Sequence, residues 1–439
     1  MIKILQVRNI DSFVESRRQK TSEKDRKTVQ AILNDVRKNG DSAVKKYERK
    51  FNGRKTSQLR VSEKEIKEAR SKIGRGKENQ AIWFAGLLRD DQGRIRNQLQ
   101  RSTEYANTRT SFDHYKRFNM SVYPEKAISF VPIPSVGCYV PGGQARYPSS
   151  AIMSVIPARA AGVKRIVVVS PPGRDGKIDP LTIVAAKRFG ATEIYKVGGA
   201  QAIGALAYGT KSIPKVDKIV GPGGKFVSIA KSLVSDQTAI DMVAGPTELG
   251  IIADASSDPE LVALDLISQA EHSKDTMCFV ITQSKTIARQ IQKSIEKLIL
   301  GTERSSIIKE SISKNGFIAV CKNQNEMVEL ANKIAPEHLE LMVKNAKTLS
   351  KKITGAGLLL VGKNTPSAAS DYLFATNHIL PTNGFGRTRG GLSVLDFLKL
   401  QTVVESKKST LINISDDLKT LTDAEGLPNH YKAVKRRLD

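Results

Sequence analysis

From about residue 128 to residue 392, short apolar runs rich in Val, Ile and Leu alternate with stretches of helical periodicity. This alternation narrows the possible folds more than any other feature of the chain. Arg165–Ser170 reads as a buried strand, Pro180–Phe189 as a helix ended by Gly190, Glu193–Val197 as a strand and Ala200–Tyr208 as a helix. Lys218–Val220 then precedes a turn, and Phe226–Val234 reads as a helix. A second series has strands at Leu249–Ala253, Met277–Thr282, Gly316–Cys321 and Gly357–Val361, with helices at Pro259–Ala270, Ile287–Leu300 and Glu326–Ile334. Strands joined through helices pair in parallel, so the pattern predicts an α/β protein. We expect two similar doubly wound domains, 139–246 and 247–392, joined near the Ala244-Gly245-Pro246 turn. Residues 21–113 read as a polar helical arm, a natural dimerisation region, with helices at Glu23–Asn39 and Ser62–Ile73. Ser62 and Glu65 have the spacing of a capping box. Residues 393–439 read as a mostly helical tail.

A chain of 439 residues can bury a sizeable core. It has no apolar run long enough to span a bilayer and no leader-like start, so a cytoplasmic protein without a membrane partner is expected. Cys138, Cys278 and Cys321 are far apart and lack paired spacing, which suits a reducing compartment. The net charge is +26, from 70 Lys and Arg against 44 Asp and Glu. Such a surface could attract nucleic acid. The charges are dispersed, however, and aromatic residues for base stacking are few, so nucleic acid is not the expected partner.

Glycine and proline cluster where strands should end: Pro141-Gly142-Gly143, Gly198-Gly199 and Gly221-Pro222-Gly223-Gly224. Open α/β sheets bind ligands beyond the carboxyl ends of their strands, and glycine there admits a close backbone approach. Such turns also occur as plain connections. No G-x-G-x-x-G follows a strand, so a dinucleotide would have to bind without the usual phosphate loop.

The five histidines are His114, His272, His338, His378 and His430. Gln269 and His272, three apart, would share a face of a helix and could offer a metal one oxygen and one nitrogen. Glu337 and His338 follow a Pro turn and could supply two proton-transfer groups. Asp371 lies seven residues before His378, and His430 follows Glu425-Gly426-Leu427-Pro428-Asn429. Two His, one Asp and one Gln suit a borderline cation such as zinc. Spacing does not prove that distant segments meet, and each histidine could instead be structural.

Several stretches resemble the histidinol dehydrogenase family. They are Ile240-Asp-Met-Val-Ala-Gly-Pro-Thr-Glu248, Ser268-Gln-Ala-Glu-His272, Tyr139-Val-Pro-Gly-Gly143 with Tyr147-Pro-Ser-Ser150, Gly198-Gly-Ala-Gln-Ala202, Ala335-Pro-Glu-His-Leu-Glu340, Thr376-Asn-His-Ile-Leu-Pro381, Gly391-Leu-Ser-Val394 and Glu425-Gly-Leu-Pro-Asn-His430. They run in order from about residue 130 to 434, and Val36-Arg-Lys-Asn-Gly-Asp41 is similar too. The resemblance implies incomplete Rossmann-like domains and a homodimer with sites shared between subunits. Residues 1–20 and 114–138 would join the second α/β domain, and 393–439 would complete a zinc site. It implies two-step oxidation of L-histidinol to L-histidine through L-histidinal with NAD, the last step of histidine biosynthesis, and one zinc per site. The implied zinc ligands are Gln269, His272, Asp371 and His430. The implied catalytic pair is Glu337 and His338. Substrate contacts would come from Thr247, His378 and Glu425, together with Gln269, His272, His338, Asp371 and His430. Tyr139, Gln201 and position 224 would contact NAD. Gly224 stands where the family usually has Asn, which removes a side-chain contact, and Thr247 keeps the hydroxyl of a usual Ser. Residues 53–128 match poorly.

Three other functions are open: a dehydrogenase of the same family acting on another amino alcohol, a zinc hydrolase without a dinucleotide, and a nucleic-acid-binding protein on an old enzyme fold. The imidazole and amine of histidinol would be oriented by zinc acting as a template. His338 would take the hydroxyl proton, and Glu337 would activate the water that hydrates the aldehyde.

Overall fold

A computed structural model describes residues 1–18, 22–53, 58–73, 88–99, 125–142 and 147–439. His114, Gly143 and most of the expected arm beyond residue 73 therefore lie outside the described residues. The chain divides into two compact units, Met1–Gln92 with Pro134–Asp396, and Gly93–Ile133 with Phe397–Asp439.

The first unit holds two sheets whose described pairings are all parallel. One has the spatial order Glu193–Lys196, Arg165–Ser170, Ser135–Tyr139, Lys218–Val220, Ala239–Ile240. The other runs Lys3–Gln6, Phe317–Val320, Met277–Thr282, Glu248–Ala253, His338–Met342, Leu358–Val361. Apart from the added N-terminal strand, both follow the doubly wound order, in which the first strand of the series lies at the centre and later strands extend to either side. The strands are buried on both faces, as parallel strands covered by helices must be; Glu248–Ala253 and Met277–Thr282 are buried throughout. Pro180–Phe189 and Pro259–Ala270 start as their sequences suggest. Each has Pro in its first turn and an aspartate, Asp179 or Asp258, capping backbone N–H groups.

Val29, Ile32, Leu33 and Val36, on the helix Glu23–Asn39, share a core with Ile203 and Leu206 of the helix Gly199–Tyr208. The capping box forms: Ser62 N–H donates to Glu65 Oε2 at 2.8 Å, and Glu65 N–H to Ser62 Oγ at 3.2 Å. The three cysteines are buried and unpaired.

Two local elements go beyond the reading of the sequence. His338–Met342 is a buried strand, not merely the sequel of a Pro turn. It pairs with both Glu248–Ala253 and Leu358–Val361. The tail is mostly helical, but it also holds a strand. In the second unit, Leu398–Glu405 is a strand that pairs antiparallel with Glu125–Pro132 along its whole length. Its β-branched Thr402-Val403-Val404 favours an extended chain, given a partner about 270 residues away in sequence. The helices Lys408–Ala424 and Pro428–Lys435 follow, with Gly426 between them in the left-handed region at φ +70°. Among the described residues, no helix is long and apolar enough to cross a membrane.

Candidate active site

The first unit contains a cavity of about 910 Å³. Pro141 and Pro222–Gly224, which follow carboxyl ends of the first sheet, form one part of its wall. Thr247, Glu337 and His338, at amino ends of the second sheet, form another. The cavity thus meets the two sheets at opposite ends of their strands. The glycine turns read from the sequence as ligand-facing all belong to the first sheet; at the second sheet the carboxyl ends do not face this cavity. Those ends line a separate cavity of about 630 Å³, bordered by Ser256–Asp258, Met342–Thr348 and Val361–Lys363. Thr247, Glu337 and His338 instead sit where the chain enters the central strands of the second sheet.

Glu337 and His338 are buried, and Ala335 just before them has a positive φ of 49°. A non-glycine residue there is held against its preference, which is common where a turn must aim a reactive group. Thr247 Oγ donates to Glu337 Oε2, and the same carboxylate oxygen accepts the Glu248 N–H at 2.9 Å. Gln269 Nε2 donates to Thr247 Oγ at 2.8 Å, which leaves the Gln269 carbonyl oxygen as an acceptor for something else. His338 Nδ1 lies 3.3 Å from the Glu248 carbonyl, which can only accept, so that nitrogen carries hydrogen. Its other nitrogen, Nε2, is 3.3 Å from Asp371 Oδ1.

That last contact is an ion pair, and both atoms are buried without a hydrogen-bond partner. Native interiors rarely leave polar atoms without a hydrogen bond, so both atoms have capacity left for a ligand. Burial alone would lower the His338 pKa. The carboxylates of Asp371 and Glu337 outweigh it and raise the value to about 9. Burial tends to raise the Asp371 pKa, but His338 holds it below its usual range. Burial raises that of Glu337.

His272 and His378 complete the group. His272 opens onto the cavity and reaches solvent, although desolvation by the surrounding protein lowers its pKa. The helix ends at Ala270, so Gln269 and His272 do not share a helical face as expected. A last turn, His272 N–H to Gln269 C=O at 3.2 Å, still brings both to the cavity. His378 Nδ1 donates to the Asp371 carbonyl at 3.0 Å, fixing its tautomer, and Ser150 Oγ approaches Nε2 at 3.4 Å.

Three acids behind these groups were invisible as functional residues in the sequence. Glu248 is buried; its carboxyl accepts N–H groups from Glu337 at 3.2 Å and Asn383 at 2.9 Å. Burial, against that help, raises its pKa to about 8. Glu340 accepts the Ser367 N–H at 2.7 Å, which secures the short helix Ser367–Ser370 that delivers Asp371. Burial raises the pKa of both Glu340 and the neighbouring Asp265, and their proximity favours a shared proton. The only signal was a lone acid inside an otherwise apolar run.

Thr247, Gln269, His272, Glu337, His338, Asp371, His378 and Gly224 therefore line one cavity. Tyr139 and Gln201 are not among its walls: Tyr139 is buried, with its hydroxyl accepting the Gly199 N–H at 3.1 Å. Gln201 is buried too and donates to Glu48 Oε1 at 2.8 Å, while its own carbonyl oxygen is left without a partner. Glu425 and His430 belong to the second unit, where both are exposed, His430 on Pro428–Lys435. Among the described residues, no three His, Cys, Asp or Glu side chains gather as a complete metal centre. Gln269, His272 and Asp371 nevertheless offer a borderline cation two oxygens and one nitrogen, and the Asp371 oxygen, which has no hydrogen bond, suits that use.

The family model for histidinol dehydrogenase matches residues 15–438. The histidinol dehydrogenase of Methanococcus maripaludis is 43% identical over 418 residues, covering 94% of this chain and 93% of that protein. That of Bacillus licheniformis is 39% identical over 417 residues, covering 95% and 94%. The crystal structure of histidinol dehydrogenase from Elizabethkingia anophelis superposes with a TM-score of 0.87 at 31% identity, covering 100% of this chain and 98% of that one.

Proposed function

The chain belongs to the histidinol dehydrogenase family, and on that premise we propose that it oxidises L-histidinol to L-histidine through the aldehyde, with NAD and zinc. The observation that carries this reading is the meeting, in one cavity, of a buried Glu337–His338 pair with the donor groups of Gln269, His272 and Asp371.

Zinc would be held by these three donors and by His430, from this chain or from the second subunit of a homodimer. When bound, it would orient the imidazole and amine of the substrate. The Gly221–Gly224 turn would hold NAD⁺, which when bound would supply the hydride acceptor for both oxidations. His338 Nδ1 is held by the Glu248 carbonyl, which leaves Nε2 as the nitrogen facing the cavity side, where Asp371 lies 3.3 Å away. That nitrogen can take the proton of the substrate hydroxyl. Glu337, fixed by Thr247 and the Glu248 N–H, then removes a proton from the water that hydrates the aldehyde. Keeping both steps in one cavity retains the reactive aldehyde. Thr247, His378 and Glu425 bear on the substrate, and Tyr139 and Gln201 shape the cofactor side. An enzyme of this kind acts in the cytoplasm.

The reading is tested by NAD⁺ reduction with histidinol and with amino alcohols lacking the imidazole, before and after chelation. Strong preference for histidinol, lost on chelation and restored by zinc, is expected. Equal rates with the simpler alcohols would favour a relative with another substrate.

Gly224 provides an independent check on the cofactor. A Cβ at this position meets nothing within 4 Å, and the residue caps Lys225–Val234 without a side-chain bond. Gly224→Asn should therefore fit, cap the helix for a few tenths of a kcal/mol, and tighten NAD⁺ binding several-fold. Titration of NAD⁺ measures this, and unchanged affinity would retire the missing-contact explanation.

A further inference from the structure

The Gly221–Gly224 turn is gripped by a charge pair that takes no part in the chemistry above. Lys231 is 1% exposed, and the Asp241 side chain is completely buried. Asp241 Oδ2 accepts the Gly221 N–H at 2.8 Å, while Lys231 Nζ donates to the Gly221 carbonyl at 2.9 Å and to the Asp241 carboxylate. One ion pair thus holds both backbone polar groups of a single glycine. Gly221 has φ +110°, and a Cβ there would fall 2.2 Å from the Tyr139 carbonyl oxygen. The turn is therefore pressed against the neighbouring strand and clasped by the pair. Lys231 lies on the helix that the turn itself starts, and Asp241 begins the segment leading to Thr247. Buried ion pairs are poor sources of net stability compared with apolar residues of the same size, so such a pair is better explained by what it positions.

We propose that Lys231 and Asp241 form a positioning pair that sets the Gly221–Gly224 turn for close approach of a dinucleotide, and so govern cofactor affinity without touching the amino-alcohol pocket. This rests on the reading that the cofactor lies over that turn. The Gly221 N–H is committed to Asp241 and is unavailable to a phosphate. The pair therefore acts by shaping the turn, consistent with the lack of a G-x-G-x-x-G sequence.

Lys231→Met alone would strand a buried carboxylate and destabilise the fold. The informative variants are Lys231→Met/Asp241→Asn, which removes both charges together, and Lys231→Arg, which keeps the charge but changes its reach. Calorimetric titration of the zinc-loaded full-length protein with NAD⁺, and separately with histidinol, reads the two sites without turnover. The double variant is expected to weaken NAD⁺ on the order of tenfold, within the penalty that a displacement of about 1 Å can exact, while histidinol binding stays within about twofold. Lys231→Arg should fall between it and the wild type. A folded double variant that binds NAD⁺ like the wild type overturns the proposal, as does equal weakening of both ligands. If the double variant does not fold, unchanged NAD⁺ affinity in Lys231→Arg has the same force. Wild-type protein that binds no NAD⁺ refutes the dinucleotide reading itself, before any variant is compared.

Discussion

Glu337→Gln is expected to slow oxidation of the aldehyde by about 10² to 10⁴, the range lost with a general base, while oxidation of the alcohol changes by no more than about tenfold. The amide keeps the size of the side chain, and its carbonyl can still accept from Thr247 Oγ and the Glu248 N–H, as the carboxylate does. What it cannot do is take a proton from water. His338 is 3.9 Å from Glu337 and remains available for the alcohol. Single-turnover measurements starting from histidinol and from histidinal separate the two steps. Equal losses in both would mean that the pair acts as one unit and that the division of labour is wrong.

Removing His272 should have the other large effect, this time on metal. His272→Ala deletes the only imidazole among the cavity's three proposed donors, leaving the Gln269 and Asp371 oxygens to hold a cation that favours nitrogen. Bound zinc should fall by more than the 10- to 100-fold, roughly, that follows loss of groups merely supporting a ligand. His430→Ala should behave alike if the second unit supplies the fourth donor. Metal content after dialysis against a weak chelator measures both. Full occupancy in either variant removes that histidine from the ligand set.

Arg165–Ser170 and Pro259–Ala270 could be read from sequence because their pattern and their end signals are local. His338–Met342 could not. Ala335-Pro336 suggests a turn, and His338 and Glu340 interrupt the apolar run with groups that are satisfied only by distant neighbours. Leu398–Glu405 was missed for a similar reason: its partner, Glu125–Pro132, lies far away in sequence. The same division runs through the site. Gln269, His272, Glu337, His338 and His378 were found because they lie in motifs that resemble a family, Asp371 by its place seven residues before His378, and the fold brings them all to one cavity. Glu48, Lys231, Asp241, Asp265 and Glu340 were given no role because a charged residue looks solvated until its buried partner is known. Gly224 is a case where sequence and structure together say more than either. The sequence marks a missing side chain, and the geometry provides open space for one.

The proposal that both oxidations occur in one cavity is tested most directly by the stoichiometry of a limiting amount of histidinol with excess NAD⁺. Two equivalents of reduced nicotinamide per histidinol, with histidine as the product and no aldehyde captured by an external trap, are predicted. One equivalent with trapped aldehyde, or no reduction by the zinc-loaded protein, would contradict it.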